Sequence, residues 1–287
     1  MAIATPEAVL LADNLVSNDY ASLVLRYPDQ SLFTLFLLGL CRLLPIIAFS
    51  PFLGSKIAPP PVKVGLGISL FLIMMPHVLL HTSAPIPFDL TLLFLGVKEA
   101  LIGFIMGFII TVPFYIAESA GIIIDFQRGS SSLTANDPTI SVQASPLGLL
   151  YNYTSIVIFF AIGGPFIFFQ AIMKSYVVIP PDRFPSVEFF MNPGPFWNTI
   201  IGLMAYILGL SVQLGAPALL TILMTDTFLG IANRLAPQVQ ITFLGQALKA
   251  LAGTAVLIPM WWLLIHLLNK YLLKWFTTLD HVIDWMG

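Results

Sequence analysis

The chain has 287 residues, of which 58% are hydrophobic and 9% charged, with a formal net charge of −2. A mean hydropathy of +0.93, with the apolar residues gathered in runs of helical length, is the composition of a polytopic membrane protein and excludes an ordinary soluble domain. Twelve Lys and Arg form no basic patch, which sets nucleic-acid binding aside, and the single cysteine, Cys41, can form no internal disulfide.

Residues 1–31 form an acidic N-terminal segment, with Glu7, Asp13, Asp19 and Asp29 against Arg26. They lack a basic n-region, so no cleaved signal peptide is expected. Apolar stretches follow at roughly 32–53, 62–80, 92–124, 147–173, 197–223 and 239–268. They predict an all-α fold of six membrane-type segments in helical hairpins, read as one helical domain over 32–287.

The 92–124 stretch as a single helix would reach about 50 Å, against a hydrocarbon core of about 30 Å. It must break, tilt strongly or leave the bilayer. Pro45, Pro51, Pro113, Pro165, Pro217 and Pro259 are expected to interrupt five of the six segments, because proline lacks the N–H donor and its ring crowds the preceding turn. Lys and Arg counted by alternate loops divide five to four, which assigns no orientation.

Arg42, Lys98, Glu99, Glu118 and Lys249 lie within apolar segments, and Asp125 and Asp226 at segment ends. Each would cost about 2.5 to 3.5 kcal/mol at a bilayer centre, so they should face protein or water. Gly103 and Gly107, repeated by Ala117 and Gly121, give one helix face on which another backbone can approach closely. Glu118 and Asp125 share a face at a spacing of seven, which suits a hydrogen-bonded interface better than a proton relay, because no third titratable group continues the series. Asp226, Gly230, Asn233 and Arg234 recur at i, i+4, i+7 and i+8, which suits inter-subunit hydrogen bonding or, more simply, an interfacial turn whose charges meet water.

Two stretches echo each other, FLGSKIAPPPV at 52–62 and FLGIANRLAPQV at 228–239. Convergent hairpin chemistry explains the match more simply than duplication. Signatures for phosphate binding, zinc proteolysis and serine hydrolysis are absent, and the four histidines do not form a cluster, although His77 and His81 share a face. An enzyme is not expected, nor any cofactor or metal.

Between two of the most apolar segments stands DFQRGSSSLTANDP, residues 125–138, rich in turn formers and poor in helix formers. By composition it is a connector, yet it is longer than connectors usually are.

AESAGIIIDFQRGSSSLTANDP, followed by SPLG, GGPF and SYVVIPP, is similar to the FliR/SctT family, the T component of type III protein-export apparatus. GAPALLTILMTDTFLGIANRLAPQ with Lys249 beyond it, and the pattern Arg42, Pro45, Pro51, Pro59, Lys63, fit the same family over about 42–249. The DFQRG form and the Gly163-Gly164 pair resemble the virulence branch more than the flagellar one.

The resemblance implies a non-enzymatic subunit that joins R and S components in a helical cone, sitting largely above the inner-membrane plane, with U and V components nearby and unfolded proteins as substrates. It implies a gate loop over 129–145, carrying Gly129, Asn136, Asp137 and Pro138, on a base of Asp125, Gln127 and Arg128. Assembly contacts are expected at Arg42, Pro45, Pro51, Pro59, Lys63, Gly103, Gly107, Gly121, Pro217, Asp226, Asn233, Arg234, Pro237, Gln238 and Lys249. The acidic N-terminus and the Pro59-Pro60-Pro61 run have no match in that pattern. The competing reading is an autonomous small-molecule transporter with a midplane site between broken helices. It predicts a chain that purifies alone, whereas an export subunit co-purifies with R and S components.

Overall fold

The computed structural model describes residues 29–53, 58–83, 85–129, 145–184, 195–235 and 241–286. Every regular element among them is helical: α1 (Asp29–Phe49), a 3-10 turn (Pro51–Leu53), α2 (Pro60–His81), α3 (Leu90–Gln127), α4 (Pro146–Ala161), α5 (Gly164–Val178), α6 (Pro195–Leu235) and α7 (Ile241–Met286). Among the described residues five helices are long and apolar enough to cross a membrane, and six spans result if α4 and α5 are taken as one bent span. The chain is a polytopic helical membrane protein.

Prolines act here less as breaks than as starts. Pro45, Pro113, Pro217 and Pro259 all lie inside continuous helices, which corrects the expectation that they interrupt their segments. Each removes one hydrogen bond, but the flanking residues are packed, Val112 and Phe114 around Pro113 and Ala218 beside Pro217 being buried. Local loss in a long helix is outweighed by tertiary contacts on both sides. The Pro59–Pro61 run has the opposite use: Pro59 is the extended N-cap of α2 and prolines fill its first turn, where no N–H is needed.

α3 continues unbroken for 38 residues, so of the three outcomes open to the over-long segment, a break is not the one taken. The fourth segment does break, by 77° between α4 and α5. The cause is glycine, with Pro165 following in the first turn of α5. Gly163 has φ +75°, a left-handed conformation that side chains disfavour, and its N–H bonds to the Phe160 carbonyl as α4 ends. The last segment, expected to stop near 268, continues as α7 to Met286. Its tail buries Leu272, Leu279, Val282, Ile283 and Met286 at helical spacing while Lys270, Lys274 and Thr277 stay exposed.

The chain forms two compact units, Met1–Ile110 with Phe168–Asn192 and Leu279–Gly287, and Thr111–Ile167 with Pro193–Thr278. In the first, Leu38, Leu43 and Ile47 of α1 are buried, as are Phe71 and Val78 of α2, Met106 of α3 and Phe168 and Ile172 of α5. In the second, the core holds Phe114 and Ala120 of α3, Tyr151 and Phe159 of α4, Ala218 and Ile222 of α6 and Leu268 and Leu272 of α7. Phe159 meets Phe114 edge-on at 5.6 Å and lies 5.8 Å from Phe276.

Candidate functional site

In the second unit, the end of α3 and the start of α4 are joined by polar side chains across an apolar seam. Asp125, 5% exposed, accepts hydrogen bonds at one oxygen from Ser145 Oγ (2.6 Å) and the Leu147 backbone N–H (2.9 Å). Its other oxygen faces Arg128 at 3.2 Å. Ser145 is the N-cap of α4 and accepts in turn from the Gly148 N–H at 2.9 Å, with Pro146 in the first turn. Gly129 closes α3 with φ 90°, its N–H bonded to the Phe126 carbonyl. The two ends of the 129–145 stretch are thus clasped by one carboxylate.

Close backbone approach makes the clasp possible. A Cβ on Gly121 would stand 2.5 Å from the Gly148 nitrogen and the Leu147 carbonyl oxygen, so only glycine lets α4 start against α3 there. One turn earlier Glu118 accepts from Asn152 Nδ2 at 2.7 Å. Glu118 and Asp125 do share a face, and that face meets α4 of the same chain. Gln127 is the last residue of α3 and half-exposed. Asn136, Asp137 and Pro138 lie outside the described residues.

Also in the second unit, Asp226 of α6 pairs with Lys249 of α7, both partly exposed. Asp226, Gly230 and Asn233 line one groove of about 280 Å³ together with Leu229, Gly245, Gln246 and Lys249. Three of the four residues recognised by their spacing therefore converge, while Arg234 stays exposed in the last turn of α6 outside that lining. Pro217 is half-buried within α6. Pro237 and Gln238 lie outside the described residues.

The first unit holds a buried ionic knot. Arg42 is 0% exposed and grips Glu99 with two parallel bonds, Nε to Oε2 at 2.5 Å and Nη2 to Oε1 at 2.8 Å, a fork geometry that only guanidinium offers. It also donates to Ser175 Oγ (3.1 Å) and the Ile179 carbonyl (2.8 Å), and its guanidinium carbon lies 4.1 Å from the centre of the Tyr176 ring. Lys98 pairs with the same Glu99 at 2.6 Å and donates to the carbonyls of Pro180, Pro181 and Arg183 at 3.1, 3.1 and 3.0 Å. Asp182 completes the corner by accepting from the Ser83 N–H at 3.0 Å. The whole 179–183 turn is stitched down by side chains from α1 and α3.

Gly103 and Gly107 are part of this packing. A Cβ on Gly103 would fall 2.2 Å from the Arg42 carbonyl oxygen, and one on Gly107 3.1 Å from the Pro45 carbonyl oxygen. The helix that approaches this glycine face is α1 of the same chain. Arg42, expected at a subunit contact, is enclosed by its own unit. Pro51 opens the 3-10 turn, Pro59 caps α2, and Lys63 is half-exposed in the first turn of α2.

Sequence reasoning passed over Ser145, Ser175, Tyr176 and Asn152. Ser145 alone carried a readable signal, a serine directly before proline and an apolar run. Among the described residues no cluster of three or more His, Cys, Asp or Glu could hold a metal.

The family described as bacterial export proteins, family 1, matches residues 33–275. The chain is 33% identical over 170 residues to the Yop proteins translocation protein T of Yersinia pestis, a match covering 58% of this chain and 63% of that one. It is 31% identical over 249 residues to the secretion system apparatus protein SsaT of Salmonella typhimurium, covering 83% and 92%. To the flagellar biosynthetic protein FliR of Escherichia coli it is 28% identical over 220 residues, covering 76% and 80%. The match thus spans a little under two thirds of the Yersinia relative's length.

Proposed function

Because the chain belongs to the bacterial export proteins of family 1, the FliR/SctT family, and stands with its virulence-secretion members, we propose that it is a non-enzymatic core subunit of a type III export apparatus in the bacterial inner membrane. With R and S components it forms the channel through which unfolded proteins leave the cytoplasm, with U and V components as further partners. The 129–145 stretch is its gate, and Asp125, Gln127 and Arg128 are the base on which the gate is mounted.

The observation that carries this reading is the clasp. Asp125 holds Ser145 Oγ and the Leu147 N–H at 2.6 and 2.9 Å, so both ends of a polar stretch are fixed to one seam of an apolar scaffold. A gate needs such a mounting, because a segment that closes a pore must do so from a fixed base. The groove at Asp226, Gly230, Asn233 and Lys249, with Arg234 exposed beside it, serves subunit assembly through polar side chains that the chain does not fully enclose.

The test is electrical. Deleting residues 130–136 in a reconstituted complex with R and S components should raise resting ion conductance while the complex still assembles. Background conductance in an assembled complex would sink the gating reading.

A further inference from the structure

One ridge of α7 is used by none of these assignments. Ile258, Trp262, His266, Lys270 and Lys274 follow one another at four-residue intervals, the i±4 row of a helix surface. Ile258 and Trp262 are each 75% exposed, and His266, Lys270 and Lys274 are exposed as well. Leu264, Leu268 and Leu272 point the other way and are buried. The ridge therefore faces away from the chain's own core.

Its chemistry is graded. An aliphatic chain is followed by an indole stacked on an imidazole, ring centres 5.7 Å apart and planes 12° from parallel, and then by two ammonium groups. Residues 250–268 carry no Asp, Glu, Lys or Arg, a run of about 28 Å at 1.5 Å per residue, close to the thickness of a hydrocarbon core. Lys270 is the first charged residue after that run, and Lys274 follows one turn later. Side chains on a helix lean toward its N-terminus, so both lysine stems lie back toward the apolar run.

Charge supplies the second argument. Arg42, Lys98, Arg128, Lys174 and Lys249 all have carboxylate partners, whereas among the described residues the side-chain ammonium groups of Lys270 and Lys274 have no carboxylate partner. Two unmatched cations just past the end of a bilayer-length apolar run are placed to attract an anion at the headgroup level.

We propose that this ridge of α7 is a binding site for an anionic phospholipid, whose acyl chain lies along Ile258 and Trp262 and whose phosphate sits between Lys270 and Lys274. One phospholipid presents apolar chain and then phosphate in the order in which the ridge presents apolar and then ammonium groups.

The full-length protein, purified in detergent and titrated with phosphatidylglycerol or phosphatidylcholine, tests this by native mass spectrometry. A lysine near an anionic headgroup contributes about fivefold to binding, so Lys270→Gln with Lys274→Gln should lower phosphatidylglycerol retention about thirtyfold and abolish its preference over phosphatidylcholine. Lys270→Arg with Lys274→Arg should keep the preference. A preference unchanged in the Gln variant, or absent in the wild type, overturns the proposal. Amine acetylation of the wild type in nanodiscs provides a reading independent of any variant. Phosphatidylglycerol alone should shield both lysines, and shielding that occurs only when another export subunit is present assigns the ridge to a protein partner and overturns the lipid site.

Discussion

Asp125 and Ser145 stand twenty positions apart in sequence and 2.6 Å apart in space, carboxylate to hydroxyl. The serine caps α4 while donating to the residue that ends the apolar part of α3, so one hydrogen-bond chain runs from the Gly148 N–H through Ser145 to Asp125. Hydrogen bonds to a charged group contribute about 1.5–3 kcal/mol each. Asp125→Ala should therefore destabilise the protein more than Ser145→Ala, which loses the cap and one such bond, about 1–3 kcal/mol. Thermal unfolding of the two variants in detergent should rank them in that order; equal loss would mean the Arg128 and Leu147 bonds contribute nothing.

The Arg42, Glu99 and Lys98 knot predicts an asymmetry. Replacing Arg42 by Met leaves Lys98 paired with Glu99, whereas Glu99→Gln leaves two cations with no carboxylate. Breaking a buried pair costs about 3–5 kcal/mol, and the Glu99 variant should lie at or beyond the upper end of that range. Yield of monodisperse protein at matched expression is the measurement, and a Glu99→Gln variant that accumulates better than Arg42→Met contradicts the assignment.

Glycine substitutions separate packing from propensity. Gly103→Ala and Gly121→Ala put a methyl 2.2 Å and 2.5 Å from backbone atoms of another helix, while a Cβ at Gly65 or Gly96 meets nothing within 4 Å. The first two should lose about 1–3 kcal/mol through overpacking. Gly65→Ala and Gly96→Ala should be neutral or gain up to about 1 kcal/mol from helix propensity. Melting curves of the four single variants decide it.

The Asp226 and Lys249 pair is a quarter to a third exposed, so within the chain it contributes only about 0.2–1 kcal/mol. If the groove serves assembly, Asp226→Ala, Asn233→Ala and Arg234→Ala should leave the melting temperature of the lone chain almost unchanged and yet lower recovery of the complex with R and S components severalfold. Recovery equal to wild type removes the groove from the assembly interface.

The helices were legible because a bilayer-length apolar run has few other uses, and the carboxylates of α3 were legible because a spacing of seven sets them on one face. What these groups bind was not. Ser145 and Asn152 are ordinary polar residues until α4 folds back on α3, and Tyr176 reads as a generic aromatic until Arg42 lies over it. The prolines misled for a related reason: the cost of a missing N–H is local and visible in sequence, while the packing of Val112, Phe114 and Ala218 that offsets it comes from distant segments. In the tail of α7 the pattern Leu268, Leu272, Leu279, Ile283 was present, but Lys270, Lys274, Asp280 and Asp284 among them made it resemble a solvated end. Lys174 of α5 answers Asp284 at 2.8 Å, a pairing no spacing rule could supply.

Lys98 sits among four oxygens, three backbone carbonyls at 3.0–3.1 Å and the Glu99 carboxylate at 2.6 Å. Carbonyls gathered around a carboxylate are also the ligands by which proteins hold a dissolved hard cation. Here the cation is tethered to α3 by a side chain. A diffusible ion would exchange, and the 179–183 turn would then loosen or tighten with the electrolyte around it. A tethered and buried ammonium does neither, because it cannot leave and salt screens it little. This corner therefore keeps one shape whichever salt bathes it.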